Sequence, residues 1–159
     1  MKRRRFLPLL AAGTGLAGQP PREPMPRFQA KSLDGQTFTR ESLKGKVVLV
    51  QHWATWCGYC RKDEPAVEQV IADHAKDGLV VLAINAGESK ATVQGYLKEH
   101  KRTAHIVMAE DTDLRVLFEG VGVPAYLLID RESKLAAGQP GSGGLLALRE
   151  MLKVVDLKK

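Results

Sequence analysis

The sequence predicts an α/β sandwich built around a central β-sheet. Continuous apolar runs at residues 47–53 and 79–84 are typical of strands that are buried on both faces. The segments that follow these runs carry apolar side chains at intervals of three and four residues, as amphipathic helices do. Strand and helix patterns alternate along the chain and end in a hairpin and a helix, which favours one α/β domain.

The elements can be assigned in chain order from these patterns. The predicted strands cover residues 27–30, 37–39, 47–53, 79–84, 105–109, 126–129 and 135–137. The Asp34-Gly35 pair between the first two strands is a strong hairpin turn signal. The predicted helices cover residues 57 to about 76, 89–100, 112–119 and 145–155. Pro65 is expected to kink the first helix, and residues 138–144, which are rich in glycine, are interpreted as a flexible connector.

The first residues have the pattern of an export signal. A positive segment at residues 2–5 precedes the apolar residues 7–17. This apolar segment is shorter than the roughly 20 residues that a membrane-spanning helix needs. Residues 3–7, Arg-Arg-Arg-Phe-Leu, also match the twin-arginine pattern, with an arginine-rich general secretory signal as the alternative. Residues 1–18 therefore predict a periplasmic or other extracytoplasmic protein, with anchoring by an uncleaved signal left open.

The domain is predicted to span residues 26–159, after a proline-rich linker at residues 19–25. A chain of 159 residues, 44% of them hydrophobic, is long enough for one domain with its own core. The net charge is +6, but four positive charges lie in the export signal, so the rest of the chain carries +2 (6 − 4). The sequence has no basic patch interleaved with aromatic residues, which argues against nucleic acid as a partner.

The two cysteines, Cys57 and Cys60, follow the first buried strand directly and lie at the start of a predicted helix. The loop that they close is too short for a disulfide to stabilise the fold much by constraining the unfolded chain. The pair is therefore predicted to be chemically reactive. A four-thiolate zinc site would need two more cysteines, and no metal site is predicted. At a helix N-terminus the Cys57 thiolate would meet unpaired N–H groups and the positive end of the helix dipole, which favours ionisation.

Cys57 is therefore the predicted nucleophile, and Cys60, one turn inside the helix, is the predicted resolving thiol. Cys57 attacks a disulfide of a partner protein to form a mixed disulfide, and Cys60 then attacks the Cys57 sulfur and releases the reduced partner. The same steps in reverse oxidise a dithiol. No cofactor is predicted beyond the redox-active Cys57–Cys60 disulfide.

The segment Trp53-Ala-Thr-Trp-Cys-Gly-Tyr-Cys60, followed by Pro65, resembles the thioredoxin superfamily. Residues 45–50, Gly-Lys-Val-Val-Leu-Val, and residues 122–130, Gly-Val-Pro-Ala-Tyr-Leu-Leu-Ile-Asp, resemble its exported TlpA-like branch of thiol–disulfide oxidoreductases. The resemblance covers roughly residues 26–155. It implies a thioredoxin-like three-layer sandwich, with a mixed central sheet and an N-terminal β-hairpin. It also implies a reductase of protein disulfides, supplied with electrons by a donor in the membrane or envelope.

The same resemblance implies a cis peptide bond between Val123 and Pro124, facing the dithiol. The sequence alone indicates only that Pro124 begins a strand at a position that needs no N–H donor. The buried acid that thioredoxins carry six residues before the first cysteine is replaced by Gln51, which cannot accept a thiol proton. Asp63 matches a carboxylate position that some TlpA-like proteins have.

Several side chains near the cysteines leave two interpretations open. Asp63 either exchanges a proton with Cys60 or is a solvated carboxylate in the first helical turn, and the sequence favours the solvated carboxylate. His52 is either a proton shuttle or a hydrogen-bonded core histidine, which we favour. Trp53 and Trp56 are predicted to pack around the dithiol and shape the docking surface, with Trp53 as plain core the alternative.

Two other functions would use the same cysteines. A thiol peroxidase needs its cysteine in a Pro-x-x-x-Thr-x-x-Cys context, and the residues before Cys57 offer Thr55 without such a proline. A copper-binding or delivery protein would use the soft thiolates of Cys57 and Cys60, with His52 as a third ligand. Tyr59, between the cysteines, is predicted to be exposed and to contact a protein substrate.

Overall fold

The computed structural model describes residues 22–157, so the predicted export signal and the first part of the linker lie outside the described residues. The strands are β1 (Gln29–Ser32), β2 (Thr37–Thr39), β3 (Val47–Trp53), β4 (Leu79–Asn85), β5 (His105–Thr112), β6 (Ala125–Ile129) and β7 (Leu135–Pro140). The α-helices are α1 (Gly58–Asp73), α2 (Lys90–Glu99) and α3 (Gly144–Leu152), and a 3-10 helix spans Asp113–Phe118. None of the helices between residues 22 and 157 is both long and apolar enough to span a membrane.

The strands form one mixed sheet in the order β2-β1-β5-β4-β3-β6-β7. Strands β3, β4 and β5 are parallel, whereas β6 and β7 run antiparallel to their neighbours. The β1–β2 hairpin, which was predicted from the Asp34-Gly35 turn, joins this sheet through β5. Strand β3 lies between β4 and β6, so the chain leaves β3 near the centre of the sheet.

Each face of the sheet packs into its own hydrophobic cluster, because successive side chains of a strand point to opposite faces. Val47, Leu49 and Trp53 of β3 face the cluster that contains the buried side chains of α1, α2 and α3. Val48 and Val50 face the cluster formed with the N-terminal segment and the 3-10 helix. Three layers result, and all three described α-helices lie on one side of the sheet.

Several predicted boundaries are wrong, most clearly around the glycine-rich residues 138–144. Residues 138–140 belong to β7 and pair with β6, so only the residues that follow them form a loop. A Cβ added to Gly138 would lie 3.1 Å from the Leu127 side chain, so this glycine permits close strand packing. The predicted helix at residues 112–119 is the 3-10 helix Asp113–Phe118.

The described part of the predicted linker packs against the domain. Met25 is only 2% exposed, and its N–H donates to the Ser133 carbonyl oxygen at 2.8 Å. Pro24 forms a bridge with Lys134, and the Arg22 guanidinium donates to the Asp130 carboxylate at 2.9 Å. The folded unit therefore includes residues 22–25, because Met25 contributes an apolar side chain to the second cluster.

Candidate active site

The two cysteines lie where the central strand β3 passes into helix α1. The turn after β3 is closed by a bond from the Cys57 N–H to the Ala54 carbonyl oxygen, and Gly58 begins the helix. Cys57 is the N-cap of α1, and its Sγ accepts a hydrogen bond from the Cys60 N–H at 3.1 Å. The two sulfurs form a disulfide, with 5.2 Å between the Cα atoms. The pair is therefore at a helix N-terminus and in its oxidised form.

Cys60 is more deeply buried than Cys57, as predicted. The exposed fractions are 1% for Cys60 and 5% for Cys57, so Cys57 is the more accessible of the two. Trp56 and Tyr59 flank the pair, and each is 68% exposed. Trp53 is fully buried in the cluster that contains both cysteines, so it belongs to the core, and Trp56 provides the exposed indole at the site.

The cis peptide bond between Val123 and Pro124 is confirmed. Pro124 immediately precedes β6, whose first residue, Ala125, pairs with His52 near the end of β3. This register places the proline and the dithiol at the same edge of the sheet. The Pro124 carbonyl oxygen accepts a hydrogen bond from Gly141 N–H at 2.8 Å, which ties the loop after β7 to the same edge.

Asp63 is buried, which contradicts the solvated carboxylate favoured from the sequence. It is 2% exposed and accepts hydrogen bonds from the Tyr126 hydroxyl at 2.9 Å and the Ser142 hydroxyl at 2.6 Å. The physical reason is its position three residues after Cys60, which places both side chains on the same inward face of α1. Hydrogen bonds to both of its oxygens offset the cost of burying the carboxylate.

Gln51 is also buried and lies in the same polar cluster. Its Nε2 donates to the Tyr126 hydroxyl oxygen at 3.3 Å, and its Oε1 accepts from Arg102 Nη2 at 2.6 Å. The guanidinium carbon of Arg102 lies 5.0 Å from the centroid of the Trp53 ring. Sequence reasoning identified Gln51 and Asp63 but missed Tyr126 and Arg102. Tyr126 lies in the segment 122–130 that carries the family resemblance, but no sequence pattern indicated its contact with Gln51 and Asp63, and Arg102 lies in no motif.

Burial changes the acid–base properties of this cluster. It raises the pKa of Tyr126, and the Asp63 carboxylate raises it further, so the phenol keeps its proton at neutral pH. Burial lowers the pKa of Arg102 from its usual value, although Glu64 and Glu68 oppose that effect. A guanidinium nonetheless stays charged at all ordinary pH values.

A second carboxylate, Glu88, holds the turn between β3 and the dithiol. Its side chain accepts bonds from the Thr55 N–H at 2.8 Å, from the Thr55 hydroxyl, and from Asn85 Nδ2 at 2.7 Å. Burial opposes ionisation of Glu88, but the bonds from Asn85 and Thr55 outweigh it and hold the pKa below its usual value. No sequence pattern singled out Glu88 as part of the site. The available signal was its place just after β4, because parallel neighbours end at one edge of the sheet.

His52 lies on the other face of the sheet from the cysteines. Its ring stacks on Phe118, a residue of the second hydrophobic cluster, with the ring centroids 4.7 Å apart. Burial lowers the pKa of His52, and a hydrogen bond with the Gly122 backbone partly opposes this. The position fits the core histidine favoured from the sequence. Across the described residues, no group of three or more His, Cys, Asp or Glu side chains is arranged to hold a metal ion.

Comparison with known sequences agrees with this geometry. Residues 21–137 match the family described as AhpC/TSA. The chain is 31% identical over 112 residues to the thiol-disulfide oxidoreductase ResA of Bacillus subtilis strain 168, covering 69% of this chain and 62% of that protein. It is 24% identical over 130 residues to the ResA protein of Bacillus thuringiensis subsp. konkukian strain 97-27, covering 82% of this chain and 75% of that protein.

Solved structures confirm the predicted thioredoxin-like fold. The crystal structure of a thiol:disulfide interchange protein of the thioredoxin family from Chlorobium tepidum TLS matches with a TM-score of 0.72 and 26% identity, covering 86% of this chain and 97% of that one. The crystal structure of a protein described as a putative thiol:disulfide interchange protein DsbE, from Chlorobium tepidum, matches with a TM-score of 0.74 and 24% identity. That match covers 83% of this chain and 94% of the other, and at this identity it supports the fold alone.

Proposed function

Because this chain belongs to the AhpC/TSA family and is a thioredoxin-like thiol–disulfide oxidoreductase, we propose that it reduces disulfides in other proteins outside the cytoplasm. The observation that carries the proposal is the Cys57–Cys60 pair at the N-terminus of α1, with Cys57 the more exposed of the two. The relatives named ResA are described as thiol-disulfide oxidoreductases, which supports the reaction type.

The proposed reaction proceeds by two exchanges at sulfur. In the reduced protein the Cys57 thiolate attacks a substrate disulfide, so that a Cys57–substrate bond forms and one substrate thiolate leaves. Cys60 then loses its proton and attacks the Cys57 sulfur. The Cys57–Cys60 disulfide forms, and the electron pair of the broken bond leaves with the second substrate thiolate. A donor dithiol in the membrane or envelope returns the pair to its reduced form, and no cofactor takes part.

The proposed roles of the neighbouring residues follow from their positions. Asp63, on the same helical face as Cys60, accepts the Cys60 proton in the second exchange. Trp56 and Tyr59 contact the protein substrate, since both are exposed beside the sulfurs. Val123 and Pro124 form the opposite side of the site, at the edge of the sheet where β3 ends.

Reduction of insulin by a small dithiol tests the proposed activity, because the released chains precipitate and scatter light. We expect the wild-type protein to accelerate precipitation and Cys57→Ser to show no acceleration over the uncatalysed reaction. Full activity of Cys57→Ser would exclude the mechanism. Consumption of peroxide in place of protein disulfides would support the peroxidase hypothesis instead.

The reduction potential of the Cys57–Cys60 pair tests the direction. Equilibration with glutathione buffers, read from the fraction of oxidised protein, should give a reduction potential of about −270 mV, as for thioredoxin. A value near about −120 mV, as for the strong oxidant DsbA, would show that the protein oxidises its partners instead.

Export is the remaining part of the proposal, and it is supported by the positive and apolar segments at residues 2–5 and 7–17. Replacing Arg3 and Arg4 together by lysine should leave the protein in the cytoplasm if the twin-arginine route is used. Cell fractionation with detection of the protein would measure this. Export of the double variant at the wild-type level would indicate the general secretory route, and a wild-type protein found in the cytoplasm would exclude export.

A further inference from the structure

Four side chains beneath α1 form one continuous hydrogen-bonded series, which we call the Arg102–Asp63 network. It runs from Arg102 to Gln51, from Gln51 to Tyr126 and from Tyr126 to Asp63, with donor–acceptor distances of 2.6, 3.3 and 2.9 Å. Gln51, Tyr126 and Asp63 are each at most 2% exposed. The network therefore connects a half-buried cation near the surface to the carboxylate nearest to Cys60 along α1.

The direction of every bond in the network is fixed by chemistry. A guanidinium only donates, so the Gln51 oxygen must face Arg102 and the Gln51 Nε2 must donate to the Tyr126 oxygen. The Tyr126 hydrogen is then directed to Asp63, whose carboxylate accepts it. Hydrogen bonds that all point the same way, with a charged donor at one end and a carboxylate at the other, strengthen one another.

Tyr126 and Ser142 both donate to Asp63, but only Tyr126 is difficult to replace. Ser142 lies in the exposed loop between β7 and α3, where water can take over its bond. The Tyr126 hydroxyl is buried and reaches Asp63 across the interior from β6. Without that hydroxyl, one oxygen of the Asp63 carboxylate would face the interior with no donor, and the Asp63 side chain would lose the hydrogen bond that fixes its orientation.

We propose that Tyr126 is a positioning residue for the resolving step, which holds the Asp63 carboxylate ready for the Cys60 proton, and that Gln51 and Arg102 fix the direction of its hydroxyl group. The proposal rests on the proposed function, because it assigns Asp63 the role of proton acceptor. In this step the proton moves from Cys60 Sγ to an oxygen of Asp63 as Cys60 attacks Cys57. The substrate thiolate leaves with the electron pair of the broken sulfur–sulfur bond.

The experiment isolates the resolving step. The reduced protein is mixed with Ellman's reagent, which places one thionitrobenzoate on Cys57 as a mixed disulfide and releases the other as the coloured thiolate. Attack by Cys60 then releases the thionitrobenzoate from Cys57, so the two bursts of colour in a stopped-flow trace report the two exchanges separately. At pH 7 we expect Tyr126→Phe to slow the second burst about tenfold, a modest share of a general-base contribution, and to leave the first burst within about twofold of wild type.

The pH profile separates positioning from a general structural effect. At a pH well above the ordinary thiol pKa of about 8.5, solvent hydroxide can take the Cys60 proton, so the step depends much less on a carboxylate acceptor. The second burst of Tyr126→Phe should therefore return to the wild-type rate at about pH 10. A variant that merely loosens the site would stay slow at every pH.

A double-mutant cycle tests whether Tyr126 acts through Asp63. Asp63→Asn should slow the second burst at pH 7 at least as much as Tyr126→Phe does. Adding Tyr126→Phe to Asp63→Asn should then produce no further slowing, because the group to be positioned is already lost. Multiplication of the two effects would overturn the proposal.

Tyr96→Phe is the matched control. The Tyr96 hydroxyl donates to the Glu64 carboxylate at 2.6 Å, so the change removes the same kind of bond from the residue next to Asp63. This variant should keep both bursts at wild-type rates. If Tyr126→Phe does not fold, Gln51→Leu replaces it and should slow the second burst about threefold at pH 7, again with recovery at high pH.

The proposal is overturned if the second burst of Tyr126→Phe, or of Gln51→Leu in its place, is within twofold of wild type at pH 7. It is also overturned if the slowing persists at about pH 10. Neither result depends on the natural substrate, since Ellman's reagent supplies the disulfide. Failure of the proposed function would appear separately, as wild-type protein with both bursts intact but no insulin reduction.

Discussion

At the scale of single residues, the carboxylates around the dithiol have separate tasks that follow from their partners. Glu88 accepts three hydrogen bonds from Asn85 and Thr55, so its task is to hold the turn that leads to Cys57. Asp63 accepts one bond from a buried hydroxyl and one from an exposed loop. A carboxylate has about four lone-pair positions, so Asp63 retains acceptor capacity toward Cys60.

His52 gives a pH dependence that can be predicted with its sign. Burial lowers the pKa of His52 from its ordinary value of 6.5, so the unfolded chain binds the proton more readily than the folded protein does. The stabilisation is complete above about pH 6.5 and is lost as the pH falls through the lower pKa of the folded state. We expect the free energy of unfolding of His52→Phe, measured with urea, to fall less between pH 7.5 and pH 5.5 than that of wild type. Equal losses in the two proteins would contradict this account.

Residue-scale prediction from sequence succeeded where a motif is local and failed where partners are remote. Cys57 and Cys60 lie in one short segment, so their order of burial and their roles could be argued from a helix start. The donors to Asp63 are 63 and 79 residues away along the chain. No spacing rule brings Tyr126 and Ser142 to that carboxylate, and without them its burial looked too costly.

At the scale of elements, two glycines in helical settings illustrate how packing decides the effect of an added methyl group. Gly95 lies within α2, and a Cβ there would meet no atom within 4 Å. Gly143 is the N-cap of α3, and a Cβ there would overlap the Ala147 side chain and lie 2.5 Å from Gln139 Nε2. A methyl group therefore has room at position 95 but not at position 143.

Substitution by alanine should therefore have opposite effects at these positions. Gly95→Ala should stabilise the protein by about 0.5–1 kcal/mol, because alanine reduces the backbone entropy lost in a helix. Gly143→Ala should destabilise it by about 1–3 kcal/mol through overpacking. Urea unfolding at neutral pH measures both, and the same sign for the two variants would refute the argument.

Element boundaries were predictable where the apolar pattern is long and continuous. The bounds of β3 agree with the prediction because its residues are buried on both faces, with only His52 partly exposed. β7 was predicted too short because Gly138, Gln139 and Pro140 carry turn signals. Their strand conformation depends on pairing with β6, which is a tertiary contact that the local sequence does not contain.

At the scale of the whole molecule, the order of strands and helices predicted an α/β sandwich, and the resemblance to the thioredoxin superfamily implied its three layers. Neither predicted the start of the folded unit. The prolines around Met25 indicated a linker, whereas that segment pairs with residues 133–135, in the turn after β6 and at the start of β7. The hydrogen bonds from Arg22 to Asp130 and from the Met25 N–H to Ser133 connect residues more than 100 positions apart in the chain. The proline content was visible in the sequence, but these distant contacts were not.

A chain that begins at residue 26 should accordingly be less stable than one that begins at residue 22. Loss of the buried Met25 side chain alone should cost about 1.5–3 kcal/mol, and loss of its backbone bond adds to that. Comparison of the two chains by urea unfolding would measure the difference. Equal stabilities would show that residues 22–25 contact the domain without contributing to its free energy of unfolding.

The bond between Arg22 and Asp130 also determines how the protein would be oriented when it is attached to a solid support through its N-terminal end. Asp130 follows the end of β6, whereas the dithiol lies beside its beginning, and a strand of this length separates the two by about 17 Å. A tether attached ahead of residue 22 would therefore hold the protein at the end of β6 that lies away from the Cys57–Cys60 pair. Protein coupled to a bead through this end would present Trp56 and Tyr59 outward. A column of immobilised Cys60→Ser protein, which lacks the resolving thiol, would capture protein substrates as mixed disulfides on Cys57.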